Sequence, residues 1–331
     1  MTRDQIIGWL KEDDPARLAE LYHMADTARR DTVGDEVHIR TLVEISNHCA
    51  RGCDYCGLRA DNSALKRYRM TKQEILDCVS AAATRGRKTV VLQSGEDPRL
   101  TAEWVAALVS AIKDETGMAV TLSLGEYSRE DYAAMKAAGA DRYLIKQETV
   151  NPNLYKKLHP DMKLENRIRC LETLLELGFQ TGSGMMVGLP GQTPEIIADD
   201  ILFIKKMQFD MCGIGPFIPN EDTPMACAPA GPLEMTLKAV ALTRIAVPHL
   251  LMPATTAAGT VAADGRKRAL LCGANVIMPN STPPKYKELY RIYPGRSGID
   301  DTSEDSMETV EALLRSIGRT IATGYGHSYK K

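Results

Sequence analysis

Residues 49–56 read CARGCDYC, a CxxxCxxC triplet that follows directly on the mostly apolar stretch LVEIS at residues 42–46. Three thiolates on one short loop can hold three irons of a [4Fe–4S] cube. Such a loop supplies no fourth ligand, so one iron stays open to a small molecule that binds through an amino and a carboxylate group. The predicted metal ligands are therefore Cys49, Cys53 and Cys56, at the end of the first predicted strand.

Two other uses of these cysteines fit less well. A structural zinc site needs four closed ligands, usually in paired CxxC or Cys/His spacings, and no second pair occurs elsewhere in the chain. His48 is a poor fourth ligand, since the residue adjacent to Cys49 points away from it. Eight scattered cysteines in 331 residues without a signal peptide argue against a disulfide framework. A non-catalytic iron–sulfur or zinc-binding module remains the alternative from a different functional class.

Bulk composition is that of an ordinary soluble globular protein, with 44% apolar and 25% charged residues and a formal net charge of −2. This charge predicts no nucleic-acid partner, and no apolar run approaches the ~18 residues of a membrane span. Free thiols without a secretion signal favour a reducing cytosol, where an oxygen-labile cluster survives. We expect a cytoplasmic monomer that binds no membrane.

Short β-like segments alternate with amphipathic helical segments along the chain, which predicts a parallel sheet; eight such units predict a (β/α)8 TIM-type barrel in the α/β class. The runner-up is an open doubly wound sheet, but no GxGxxG follows the first strand. The predicted strands are Val37–Ser46, Thr89–Ser94, Ala119–Leu124, Arg142–Thr149, Thr181–Gly188, Met211–Ile218, Leu251–Thr256 and Asn275–Pro279. The predicted helices include Lys72–Thr84, Ala102–Asp114, Arg129–Ala138, Glu165–Leu177, Pro194–Met207 and Leu233–Ala246.

The chain ends flank this barrel. Residues 1–36 are predicted to form a helical extension of two helices, residues 37–285 the barrel, and residues 286–331 a C-terminal segment that closes it. That segment should contain one helix at about Glu304–Ile317 and a frayed tail from Tyr325 onward.

Polar residues gather where the predicted strands end, which is where barrels of this kind carry their chemistry. The second strand ends in QSGE at residues 93–96, and Thr121 and Ser123 share one face of the third. On the fourth strand Arg142, Lys146 and Glu148 share one face by the same period of two. Ionisable side chains inside a barrel are costly unless a ligand or an ion pair requires them, so this face is the strongest signal besides the cysteines.

Taken together, these motifs resemble the HydE family of radical SAM enzymes, which mature [FeFe]-hydrogenase and belong to the biotin synthase-like group. The resemblance runs from about Val37 to Gly295. It is carried by GDEVHIR at 34–40, CGLR at 56–59, RYRM at 67–70, VLQSGED at 91–97, TLSLGE at 121–126, GLPGQT at 188–193, GIGPFIP at 213–219, PATT at 253–256 and CGANVIMPN at 272–280.

The resemblance implies a [4Fe–4S] cluster on the three cysteines, with S-adenosylmethionine (SAM) chelating the open iron. One-electron reduction, by a donor such as a ferredoxin or flavodoxin, would cleave SAM to a 5′-deoxyadenosyl radical. The family's substrate is a cysteine-bound Fe(CO)2CN precursor supplied by a partner maturase. The residues implied for SAM are Tyr55, Gln93, Ser94, Gly95, Glu96, Thr121, Ser123, Glu148 and Arg167. Those implied for the substrate end are Lys146, Met211, Thr255, Thr256, Met278, Tyr290 and Tyr293.

The chain departs from the family's pattern at two places. Residues 297–331 contain no cysteine, which predicts no second cluster there. Position 146 is Lys where the family leads us to expect Arg, so a point charge replaces a bidentate fork. Other substrates stay open, including a methylornithine synthase-like rearrangement of lysine.

Overall fold

The computed structural model describes residues 1–295 and 303–330, with side chains omitted for residues 303–306. Its strands are β1 Glu36–Ile39, β2 Thr41–Ser46, β3 Thr89–Ser94, β4 Ala119–Ser123, β5 Arg142–Leu144, β6 Gln180–Val187, β7 Met211–Pro216, β8 Val276–Ile277 and β9 Thr320–Ile321. Its helices are α1 Arg3–Leu10, α2 Pro15–Val33, α3 Lys72–Thr84, α4 Ala102–Thr116, α5 Arg129–Ala137, α6 Pro152–Leu158, α7 Leu164–Glu176, α8 Pro194–Met207, α9 Leu233–Ala246, α10 Thr256–Val261, α11 Gly265–Leu271, α12 Pro284–Lys287 and α13 Ser303–Ser316.

Parallel pairing runs around a closed ring. Strands β2 to β7 form one six-stranded sheet in chain order. The ring continues through single bridges from Met211 to Leu251 and from Pro253 to Val276, and β8 then pairs with β1. A last bridge joins Leu42 to Asn280. The predicted (β/α)8 barrel is thereby confirmed, with helices outside it as expected for parallel connections.

Local sequence signals explain the helix bounds. Thr71 caps α3 in a capping box, since its hydroxyl accepts from the N–H of Glu74 while that carboxylate accepts from the N–H of Thr71. The buried face of α3 is Ile75, Val79 and Ala82, spaced at helical period and packed in the main core. The predicted bounds of α3, α8 and α9 agree with the structure.

Several predicted strands differ from the observed ones. The first is divided at Arg40 into β1 and β2, which pair with different neighbours. The fourth ends at Leu144 rather than Thr149, and Glu148 makes only an isolated bridge to Met185. The stretch 251–256 forms single bridges instead of a ladder, and α10 begins at its last residue. The helices α6, α10, α11 and α12 were not predicted.

The tail predicted to be frayed is instead bonded into the N-terminal end of the barrel. The Tyr325 carbonyl accepts from the Thr89 hydroxyl at 2.8 Å and from Arg142 Nη2 at 2.7 Å. The Tyr329 hydroxyl lies 2.9 Å from His38 Nε2. The prediction was wrong because these partners are distant in the sequence, and the sequence of the tail alone does not indicate them. Residues 296–302 and 331, which the sequence assigned to the C-terminal segment, lie outside the described residues.

Within residues 1–295 and 303–330, the structure contains no helix that is both long and apolar enough to cross a membrane.

Candidate active site

A cavity of about 400 Å³ opens at the C-terminal ends of the barrel strands. Most of its lining surface is apolar, and many polar and charged side chains also face it, an arrangement that suits a polar small molecule. All three cysteines of the triplet face it, together with most of the residues that the sequence singled out. Those that line it are Tyr55, Gln93, Ser94, Gly95, Glu96, Ser123, Lys146, Glu148, Arg167, Thr255, Thr256, Met278, Tyr290 and Tyr293.

The cysteine loop is held against the ends of the strands. The N–H of Ala50 donates to the Glu96 carbonyl at 2.9 Å, and the N–H of Gly57 donates to the Ile292 carbonyl at 3.0 Å. Gly95 lies so close to this loop that a Cβ there would collide with the His48 carbonyl oxygen and with Cys49 Cβ. The glycine after β3 is therefore required for the close approach of the loop.

The three thiols suit an iron–sulfur cube. Each is half-buried on the cavity wall, and the N–H of Arg51 donates to Cys49 Sγ at 3.4 Å. Burial, together with the neighbouring thiols, raises the pKa of Cys56 to about 12 and that of Cys53 further, so thiolates here need a cationic partner. In the described ranges, no three His, Cys, Asp or Glu side chains converge as a single-ion site. A cube bonds each thiolate at a separate corner, and the donor set fits that group.

Four alternating charges lie beside the loop. Arg167 Nε donates to Glu126 Oε1 at 2.7 Å, and Arg167 Nη2 lies 3.6 Å from Glu96 Oε1. Arg51 pairs with Glu96 and lies 3.7 Å from Glu126. Burial acts to lower the pKa of Arg167, but Tyr155 and the two carboxylates raise it above its usual value. This guanidinium therefore stays charged at the cavity wall.

A second ion pair, between Lys146 and Glu148, lies next to Arg167, whose Nη1 donates to the Lys146 carbonyl. Lys146 Nζ donates to Glu148 Oε2 at 3.1 Å, and both side chains line the cavity. Glu148 has a φ of 58°, in the left-handed region that side-chain-bearing residues rarely adopt. Such backbone geometry is found where the surrounding structure fixes a functional side chain.

The structure does not bring every predicted residue to the lining. Met211 lies below the cavity, where Arg40 Nη1 donates to its Sδ at 2.7 Å. Thr121 is buried one layer down, and its hydroxyl has no partner among the described residues. Arg142, expected to share an interior ligand face with Lys146 and Glu148, is held instead by the tail. The period of two gives the face of a strand but not the height along it.

Sequence reasoning missed four polar residues at or beside the site: Arg51, Glu126, His159 and Arg266. Three of them line the cavity, and Glu126 holds Arg167. The motif TLSLGE at 121–126 contains a signal for Glu126, since a carboxylate directly after a strand end belongs to the catalytic face. His159 follows α6, and NP at 151–152 was the available sign of that helix.

The model of the radical SAM superfamily matches residues 43–204. The [FeFe] hydrogenase maturase subunit HydE of Thermotoga maritima is 50% identical over 325 residues, which cover 98% of this chain and 93% of that protein. The 3-methylornithine synthase of Methanosarcina acetivorans is 26% identical, covering 95% and 88% respectively. Among solved structures, methylornithine synthase (PylB) superposes with a TM-score of 0.85 at 24% identity, covering 97% and 94%. HydG, a maturase of the [FeFe]-hydrogenase, superposes with a TM-score of 0.82 at 19% sequence identity, and the match covers 98% of this chain and 73% of that chain.

Proposed function

Because the chain belongs to the HydE family of radical SAM enzymes, we propose that it acts in [FeFe]-hydrogenase maturation on a cysteine-bound Fe(CO)2CN precursor. The observation that carries this proposal is the shared cavity. The three thiols of the loop and the residues of the proposed substrate end line one space of about 400 Å³. The one cavity would therefore give a substrate direct access to the proposed cofactor site inside the barrel.

We assign the [4Fe–4S] cube to Cys49, Cys53 and Cys56, and SAM to the wall beside them. When bound, the two groups supply a 5′-deoxyadenosyl radical after one-electron reduction. Arg167 offers a fixed guanidinium to the SAM carboxylate, and Glu148 offers a carboxylate to the ribose hydroxyls. The remaining residues of the proposed SAM site are Tyr55, Gln93, Ser94, Gly95, Glu96 and Ser123, with Thr121 buried in the layer beneath them.

The substrate end is assigned to the cavity residues that begin at Lys146, where the proposed SAM wall ends at its partner Glu148. Lys146 supplies a positive charge to an anionic iron complex, while Thr255 and Thr256 supply hydroxyl donors. Tyr290, only 1% exposed, and Tyr293 cover the opening and exclude water. Met278 adds apolar lining, and Met211 supports it from below.

The partners follow from this chemistry. We propose a ferredoxin- or flavodoxin-type one-electron donor, other hydrogenase maturases as upstream and downstream partners, and a monomeric enzyme in a reducing cytoplasm. We also propose the division into a helical extension at 1–36, a barrel at 37–285 and a closing segment at 286–331.

Complementation tests the proposal directly. Expressed with the other maturases and a hydrogenase in a host that lacks its own HydE, the protein should restore hydrogen production. Incubation of the reduced protein with SAM and lysine addresses the competing rearrangement. Formation of methylornithine, without restored hydrogen production, would replace the maturase assignment.

A further inference from the structure

The segment that follows α6 is bonded to the cluster loop. The N–H of Asp54 donates to the Leu158 carbonyl at 2.9 Å, and the N–H of Gly52 donates to Asp161 Oδ2 at 3.2 Å. Between these two contacts, the Tyr55 hydroxyl lies 3.1 Å from His159 Nε2. Three bonds thus join residues 52–55 to residues 158–161, and only the one to His159 ends on a side chain that also lines the cavity.

Hydrogen-bond partners define the tautomer of His159. Its Nδ1 lies 3.3 Å from the Tyr155 carbonyl, which can only accept, so Nδ1 carries the hydrogen. Nε2 is then the acceptor, and the Tyr55 hydroxyl donates to it. The His159 side chain is fully buried, and burial followed by the charge of Arg167 lowers the pKa of His159 to about 3. The ring stays neutral and keeps its acceptor.

Aromatic packing fixes both rings. His159 stacks on Tyr155 with ring centroids 4.3 Å apart and meets Tyr55 edge to face at 5.4 Å. The apolar body of Tyr55 packs on a small hydrophobic cluster, separate from the main core, formed by Leu154, Leu158, Leu189 and Phe217. Tyr55 is therefore held by packing along its ring and by the hydrogen bond to His159 at its tip.

We propose that His159 is a positioning residue for SAM. Its Nε2 accepts a hydrogen bond from the hydroxyl of Tyr55, which lies between Cys53 and Cys56 in the loop sequence. This bond holds the Tyr55 ring in one orientation toward the cofactor. His159 acts through Tyr55 and takes no part in the chemical step. The inference rests on the proposed function, because it requires that this cavity binds SAM.

A double-mutant cycle tests this role. His159→Phe, Tyr55→Phe and the double variant are reconstituted without oxygen, and SAM affinity is measured by equilibrium dialysis. Each single variant should bind SAM about tenfold more weakly, since each removes one partner of a buried hydrogen bond. The double variant should be no weaker than either single variant, because both substitutions break the same bond. His159→Gln offers a replacement acceptor and should bind within about threefold of the wild type.

Two further readouts separate positioning from a general structural role. The change that SAM causes in the EPR spectrum of the reduced cluster should be diminished in His159→Phe, while iron content stays at the wild-type level. The KM for SAM should rise in cleavage without substrate, while kcat changes by less than about threefold. The inference would be overturned if His159→Phe bound SAM with wild-type affinity. It would also be overturned if adding His159→Phe to the Tyr55→Phe variant weakened SAM binding as much as it does in the wild type. A wild-type protein that binds no SAM would overturn the proposed function itself.

Discussion

Buried charge is handled differently at the two ends of the barrel interior. At the upper end, where the cavity opens, Lys146 and Arg167 each pair with a carboxylate. At the lower end, Arg40 and Arg142 have no carboxylate within ion-pair distance among the described residues. Their guanidinium groups donate instead to the Gly326 carbonyl, and Arg142 also donates to the Tyr325 carbonyl. Burial lowers the pKa of Arg142 to about 10.

This difference shows that one strand face serves two purposes. Arg142 and Lys146 lie four positions apart on the segment that begins at β5, and a period of two assigns them to one face. The lower residue anchors the C-terminal tail, whereas the upper one meets the cavity. We infer that substitutions at the upper end change chemistry and leave folding intact, while those at the lower end do the reverse.

The largest expected effect is at the cluster loop. Cys53→Ala should lower iron from about four per chain to near zero after anaerobic reconstitution, and abolish 5′-deoxyadenosine formation, because a cube cannot be held by two thiolates. The barrel should remain folded by circular dichroism. Cys212→Ala is the matched control, since this fully buried thiol at the start of β7 lies away from the cavity. An unchanged yield of 5′-deoxyadenosine in Cys53→Ala would refute the ligand assignment.

At the lower end, Arg142→Leu should reduce the free energy of unfolding by about 1–3 kcal/mol, because it removes one of the two donors that bond each of the Tyr325 and Gly326 carbonyls. Denaturant unfolding measures this loss, and iron content with SAM cleavage should match the wild type.

Arg129→Ala is the control for Arg142→Leu, since it removes an exposed ion pair with Glu176 and should cost less than about 1 kcal/mol. If Arg142→Leu lost SAM cleavage while its unfolding free energy stayed unchanged, the lower end would have a role in catalysis.

Sequence alone predicted the barrel because its evidence is local and periodic. The helices α3, α8 and α9 have matching bounds, since capping signals and apolar stripes define both ends. The cysteine triplet and QSGE at 93–96 were correctly predicted to lie at one site, because the C-terminal ends of all barrel strands meet at the same end of the barrel.

What sequence missed depends on contacts between distant segments. The tail from Tyr325 is ordered by Thr89 and Arg142, more than 180 positions away in the chain. Met211 and Thr121 are suitable residue types on the barrel interior, but they lie below the cavity and do not line it. His159 gains its role only because α6 packs beside the cluster loop, a contact that no periodicity encodes.

Between the two ends, Asp200 on α8 supports the loop that follows Glu148. Its Oδ1 accepts from the N–H of Val150 at 2.5 Å, and burial raises its pKa to about 8. The folded protein therefore holds this proton more tightly than the unfolded chain, whose Asp pKa is about 4. Stability from this group is complete below about pH 4 and is lost as pH rises through 8, with a slope of at most about 1.4 kcal/mol per pH unit.

Asp200→Asn keeps an acceptor for Val150 and removes the titration, so the fall in unfolding free energy from pH 5 to pH 8 should become shallower. Chemical denaturation at four pH values measures this slope. The control is Asp199→Asn, which alters an exposed neighbour paired with Arg3 and should keep most of the pH dependence of the unfolding free energy. Equal slopes in the wild type and Asp200→Asn would show that this carboxyl does not titrate in the range.

The smallest expected effect is Lys146→Arg. Gly213 has no side chain where a Cβ would lie 3.9 Å from Lys146 Cε, so it leaves space beside this side chain. Both residues keep the charge opposite Glu148, so 5′-deoxyadenosine formation without substrate should stay within about twofold. A bidentate fork recognises an anion differently from a point charge, so hydrogenase activation should change by about two- to fivefold.

Lys146→Met provides the contrast, because it leaves Glu148 without its cation and should impair SAM cleavage as well. If Lys146→Arg instead abolished SAM cleavage, Lys146 would belong to the SAM wall, and the upper end would no longer divide into a cofactor side and a substrate side.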